Sequence, residues 1–95
     1  MKHYVLLKFK PGTDLEKAEE RVWKTYEDLD RELPWLNKPA VYRSCIDRDS
    51  NADIMAVVDL DGEEYLQQYL THPLHVAMAN EFKDSIAGRT SFDHF

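Results

Sequence analysis

Cysteine is nearly missing from this sequence. Cys45 stands alone, which excludes a disulfide framework and a thiolate metal cluster and leaves a buried structural thiol as the expectation. Glycine and proline are sparse, at three and four residues, and no repeat, linker or low-complexity tract interrupts the chain. Positive charge is in deficit: twelve lysines and arginines face eighteen acids, a net charge of −6. The basic residues are scattered rather than massed, and nucleic-acid domains usually carry a basic patch, so no nucleic-acid partner is expected. Long apolar runs are missing as well. The opening MKHYVLLKFKPG holds only a short, alternating apolar stretch, too short for a membrane span or a signal peptide. These absences predict a soluble, cytoplasmic protein with no membrane partner. Ninety-five residues form one small domain, 1–95, and a chain of this size buries only ~60–68% of its unfolded surface, so a partner chain would help it.

What is present is evenly punctuated. His3 to Lys10 is rich in branched and aromatic residues and reads as a strand ended by Pro11-Gly12. Thr13 and Glu16 have the spacing of a capping box. The helix after them carries Leu15, Ala18, Val22, Tyr26, Leu29 and Leu33 on one stripe. Pro34 and Pro39 lead into a second strand, Ala40 to Ile46, and a polar connection joins it to a third, Asp53 to Leu60. Asp61 to Glu64 offers another capping box and a second helix, which Pro73 breaks because its ring clashes with the preceding turn. A further helical segment is expected from Pro73 to Ala87, with Leu74, Met78, Phe82 and Ile86 four apart and Gly88 closing it. Thr90 to Phe95 is a short last strand. The order βαββαβ predicts an α+β fold, an antiparallel four-stranded sheet of ferredoxin-like topology.

Right-handed crossovers put both helical elements on one face of that sheet, so the other face should be polar. It is not. Val5, Leu7 and Phe9 alternate with Tyr4 and Leu6; Ile54, Ala56, Val58 and Leu60 alternate with Met55 and Val57. An identical sheet related by a two-fold axis is the simplest cover for the second apolar face, which predicts a homodimer.

The stretch YLTHPLH, residues 69–75, concentrates the chemistry. His72 precedes proline and is biased away from helical angles, so it reads as an N-cap. Pro73 then opens a helix on which His75 shares a face with Met78 and Phe82. His3 alternates with Val5 and Leu7. If that strand face meets the helices, both imidazoles enter one apolar layer, and an apolar cleft with a few convergent polar groups has the character of a small-molecule pocket. Strand parity and helix phase give its expected lining: His3, Val5, Leu7, Tyr26, Ile54, Tyr69, His75 and Met78. The kink is expected to bring the Tyr69 hydroxyl back to the His75 ring. Burial and the positive end of the helix dipole should hold His75 below its ordinary value of ~6.5. No metal site is expected. His72 and His75 are three apart, with one outside the helix; Asp47, Asn51 and their neighbours lack the glycine and glutamate of a calcium loop, having Ala52 and Val58 there.

Lys2 to Lys10, with its K-H-x-V-L-L-K-F-K pattern, and the Y-x-x-H-P-x-H of Tyr69, His72, Pro73 and His75, followed by Phe92-Asp93, resemble the stress-responsive A/B barrel family, often called Dabb. The resemblance spans the chain, and the histidine motif is its specific part. It implies a dimeric α+β barrel. It extends to the family's plant polyketide cyclases, which close an aromatic ring without a cofactor. What the resemblance implies for the site is His75 as acid/base, Tyr69 beside it, and His3 and Tyr26 in the pocket. Ile54 stands where those cyclases have a histidine, so the polar complement of the pocket differs. The expected function is that of a homodimer binding a small aromatic or carbonyl compound, with cofactor-free acid/base chemistry of cyclase, lyase or isomerase type through His75 and Tyr69. A non-catalytic, stress-associated structural or assembly protein is the alternative, and an oxygenase of the related dimeric barrel type is more distant.

Overall fold

The computed structural model describes residues 1–95. Its elements are β1 (Lys2–Phe9), α1 (Leu15–Glu32), β2 (Leu36–Arg43), β3 (Ile54–Leu60), α2 (Leu66–Leu70), α3 (Pro73–Phe82) and β4 (Ile86–His94), with a single 3₁₀ turn at Glu63–Tyr65 before α2. All strand pairs are antiparallel, in the order β2-β3-β1-β4. This is the ferredoxin-like βαββαβ arrangement expected from the element order. No helix is long and apolar enough to cross a membrane.

Period-two patterning makes the sheet. Along β1, His3, Val5, Leu7 and Phe9 are buried while Tyr4, Leu6 and Lys8 are only partly so; along β3, Ile54, Ala56, Val58 and Leu60 alternate with Met55, Val57 and Asp59 in the same way. The buried set faces α1, whose stripe of Ala18, Val22, Tyr26 and Leu29 is buried against it. Val22 and Leu29 are completely inaccessible, and each such side chain contributes about 1.5–3 kcal/mol by leaving water. The opposite face carries Tyr4, Leu6, Met55 and Val57, with Tyr42 and Phe92 more than half exposed. The chain has no element to cover them.

Cys45, expected to be buried, is exposed just after β2, and several boundaries also depart from the sequence expectation. The cap of α1 is Asp14, not Thr13: the Asp14 carboxylate accepts from the Lys17 N–H (3.1 Å), while the Thr13 hydroxyl donates back to the Lys10 carbonyl (2.8 Å). That turn needs Gly12, which sits at φ +88°. The segment after Gly62 has no side-chain cap and begins as a 3₁₀ turn, so no capping box forms there. β2 begins at Leu36 and runs through Pro39. It does so because it is an edge strand: pairing with β3 slips between Asn37 and Ala40, Lys38 turns to φ +50°, and Pro39 occupies the bulge, where no ladder N–H is needed. The largest correction concerns α3, which stops at Phe82. Ile86 instead pairs with Phe9 and starts β4, and Gly88 lies opposite Lys8 inside the strand rather than closing a helix.

Candidate functional site

A cavity of about 240 Å³ opens between α1, α3 and the β1–β4 side of the sheet, lined by Val5, Leu7, Val22, Tyr26, His75, Met78, Ala79, Phe82, Lys83, Ile86 and Arg89. A dry cavity of about 150 Å³ accommodates benzene, so this space has the volume of an aromatic ring with a short substituent. Of the side chains expected there, Val5, Leu7, Tyr26, His75 and Met78 form its wall. His3, Ile54 and Tyr69 do not line it: they are buried beside it, at 3%, 1% and 0% exposure.

The helix break positions the histidines. Thr71 ends α2, and His72 takes extended angles (φ −61°, ψ 137°) as the N-cap of α3. Its Nδ1 accepts from the Leu74 N–H (3.1 Å), which requires the ring proton on Nε2, and Nε2 faces the Glu32 carboxylate at 3.1 Å. His72 is therefore a structural cap tying α3 to the end of α1. His75, in the first turn, donates from Nδ1 to the carbonyl of Leu70 (3.0 Å) across the break. A carbonyl can only accept, so this bond fixes the tautomer and leaves the Nε2 lone pair of a neutral ring free of any protein partner. Burial depresses the His75 pKa from its ordinary 6.5; the bond to Leu70 opposes this, and the charges of Arg89, His3 and His72 reinforce it. The direction matches the expectation, with burial as its largest cause.

Behind the cavity wall lies a chain of aromatic and polar groups. The Tyr26 and Tyr69 hydroxyls are hydrogen-bonded to each other, and the Tyr69 ring packs against His75 (centroids 4.8 Å) and edge-on to His3 (5.3 Å). The expected bond from the Tyr69 hydroxyl to the His75 ring does not form, because the break brings the Leu70 carbonyl to that nitrogen instead. Desolvation raises both phenol pKa values, and Tyr69 is pushed well up, with its hydrogen-bonded neighbour Tyr26 adding to the effect. Both phenols are therefore protonated at neutral pH. His3 donates from Nδ1 to Asp93 Oδ1 at 2.5 Å, a cross-strand pair in register, and its Nε2 is buried without a partner.

Sequence reasoning missed the contribution of β4. With the strand begun at Ile86, Arg89 lies opposite Leu7 and Asp93 opposite His3, which brings both to the helix-side face. The signal was available as a period of two from Arg89 through Ser91 to Asp93, but the phase could not be set while Ile86 was assigned to a helix.

The whole chain, residues 1–95, matches the family model described as Stress responsive A/B Barrel Domain. A comparison of the sequence with curated proteins gives no match. Among solved structures, the chain is similar to a dimeric protein of unknown function and ferredoxin-like fold from Bacteroides fragilis, at 21% identity, TM-score 0.83, covering 98% of this chain and 92% of that one. A dimeric ferredoxin-like protein of unknown function from Thermobifida fusca aligns at 24% identity and TM-score 0.78, over 96% and 85% of the two chains. The hydroxynitrile lyase of Passiflora edulis aligns at 13% identity and TM-score 0.76, over 98% and 89%. At these identities the structures speak for the fold, and the family model speaks for membership. Matched along its full length, this chain belongs to the stress responsive A/B barrel domain family.

Proposed function

We propose that this protein is a homodimer whose helix-side cavity binds a small aromatic or carbonyl compound and performs acid/base chemistry on it without a cofactor. His75 is the base. The observation that carries this reading is the fixed tautomer: Nδ1 is held by the Leu70 carbonyl, and a neutral Nε2 lone pair on the cavity wall is free to accept a proton from an activated carbon. Tyr26 and Tyr69 are the complementary pair. A Tyr69 hydroxyl that donates to Tyr26 leaves the Tyr26 proton free for a ligand oxygen, so Tyr69 acts by polarising Tyr26. The raised pKa values suit hydrogen-bond donation to a developing oxyanion better than full proton transfer. The dimer is supported by the uncovered face of Tyr4, Leu6, Met55 and Val57 and by the dimeric descriptions of the Bacteroides and Thermobifida proteins.

Deuterium exchange into the α-carbon of an aryl ketone such as phenylacetone, followed by proton NMR, tests the chemistry. The native protein should accelerate exchange, and His75→Gln should abolish the acceleration while keeping the melting transition. Equal exchange with and without the imidazole removes His75 from the reaction.

A further inference from the structure

The cavity is apolar in its depth and cationic at its rim. Val5, Leu7, Val22, Met78 and Phe82 supply the apolar wall, and Lys83 and Arg89 the rim. Neither cation has a carboxylate partner, in a chain where acids outnumber bases. The contrast is clearest among the arginines. Arg21 pairs with Glu81, Arg31 with Asp28, Arg43 with Glu19, and Arg48 bonds to Asn51; Arg89 alone has no side-chain bond. It occupies the helix-side phase of β4 opposite the buried Leu7, with its own side chain exposed. The nearest acid on that strand face, Asp93, is held by His3.

We infer that the cavity takes a hydrophobic carboxylate, with Arg89 binding the carboxylate, Lys83 adding a second positive charge, and the apolar body lying against Met78 and Phe82. The assignment rests on the ligand-binding reading of the cavity and narrows it to an anionic class. A guanidinium matches a carboxylate with two parallel N–H donors, which an ammonium cannot do. The charge of Arg89 also reaches the interior, favouring the deprotonated form at Tyr26, Tyr69 and His75 alike. A bound anion would neutralise that field. The competing role for Arg89 is simpler: its aliphatic stem covers apolar surface while the head stays in water.

Calorimetric titration with trans-cinnamate and with its neutral isostere trans-cinnamamide separates the two roles. The native protein should bind the carboxylate about tenfold tighter than the amide at low salt, the discrimination one charge-assisted hydrogen bond provides. That advantage should shrink as salt is added, because the rim is exposed. In Arg89→Gln the two ligands should bind within about twofold of each other, and an unchanged melting transition reports that the fold is intact. Lys83→Gln should show a smaller loss of the same kind. Equal binding by the native protein, or a preference that survives Arg89→Gln, overturns the carboxylate assignment and leaves the cavity reading standing. Failure of both ligands to bind overturns both.

Discussion

The two faces of one sheet behave as different materials. On the helix side, β1 and β3 place residues that are 7% exposed or less, and the layer is closed by the chain's own helices. One residue along in each strand, on the other side, the residues are only partly buried, and large aromatics from the edge strands, Tyr42 and Phe92, stand in water. Both faces are apolar at mid-strand, the open one through Tyr4, Leu6, Met55 and Val57 between Lys8 and Asp59, yet only one has a cover within the chain. A strand that is apolar on both sides calls for two layers, and the proposed dimer supplies the second.

That contrast breaks most visibly at Val57. Val57→Asp should leave the chain folded by circular dichroism but shift sedimentation at low micromolar concentration from twice the chain mass to the single mass. A carboxylate closed into an apolar dimer interface without a partner carries a penalty on the order of several kcal/mol. A native protein that sediments as a monomer would remove the second layer altogether. The neighbouring pair Ile54 and Met55 sharpens the comparison, since the two side chains leave β3 on opposite faces. Ile54→Ala should lower unfolding free energy by about 2–5 kcal/mol at any protein concentration. Met55→Ala should act mainly through association, so its effect on melting should depend on concentration.

The smallest effect expected is a pH slope that belongs to the helix side. His75 has a folded-state pKa below its ordinary 6.5, so near that pH the unfolded chain binds more protons than the folded one. Its stabilising contribution is present above ~6.5 and is lost as pH falls through the lower folded-state value. His75→Gln should flatten the slope in that window. An imidazole titrating above ~7 by NMR would contradict the burial on which the site depends.

Much of this was legible in the residues. The alternation of β1 and β3, the α1 stripe and the His72-Pro73 helix start are local signals, and local physics decided them. The apolar second face was equally plain. What escaped was set by tertiary pairing. Ile86 continues the four-residue spacing of Leu74, Met78 and Phe82, and in either a helix or a strand it reaches the same apolar layer. Only the ladder to Phe9 decides between them. That single ambiguity hid the phase of β4, and with it Arg89 and Asp93. Similarly, nothing in the spacing of Tyr69 and His75 announces that Leu70 will offer its carbonyl to the imidazole or that Tyr26 will take the Tyr69 hydroxyl.

The position of β1 in the sheet bears on how the site comes into being. β1 is flanked by β3 and β4, and its histidine finds Asp93 across a separation of 90 residues. Closing a loop of that length costs about 2 kcal/mol more in chain entropy than closing one of ten residues, and contacts of this range slow folding. During synthesis β1 is made before the other strands and must wait for β4, the fourth of them. Through that interval the edge of β1 that β4 will occupy is open to other chains. The Arg89 rim and the His3–Asp93 pair are thus among the last features to assemble, so a chain stalled before β4 could carry the histidine motif complete and still have no site.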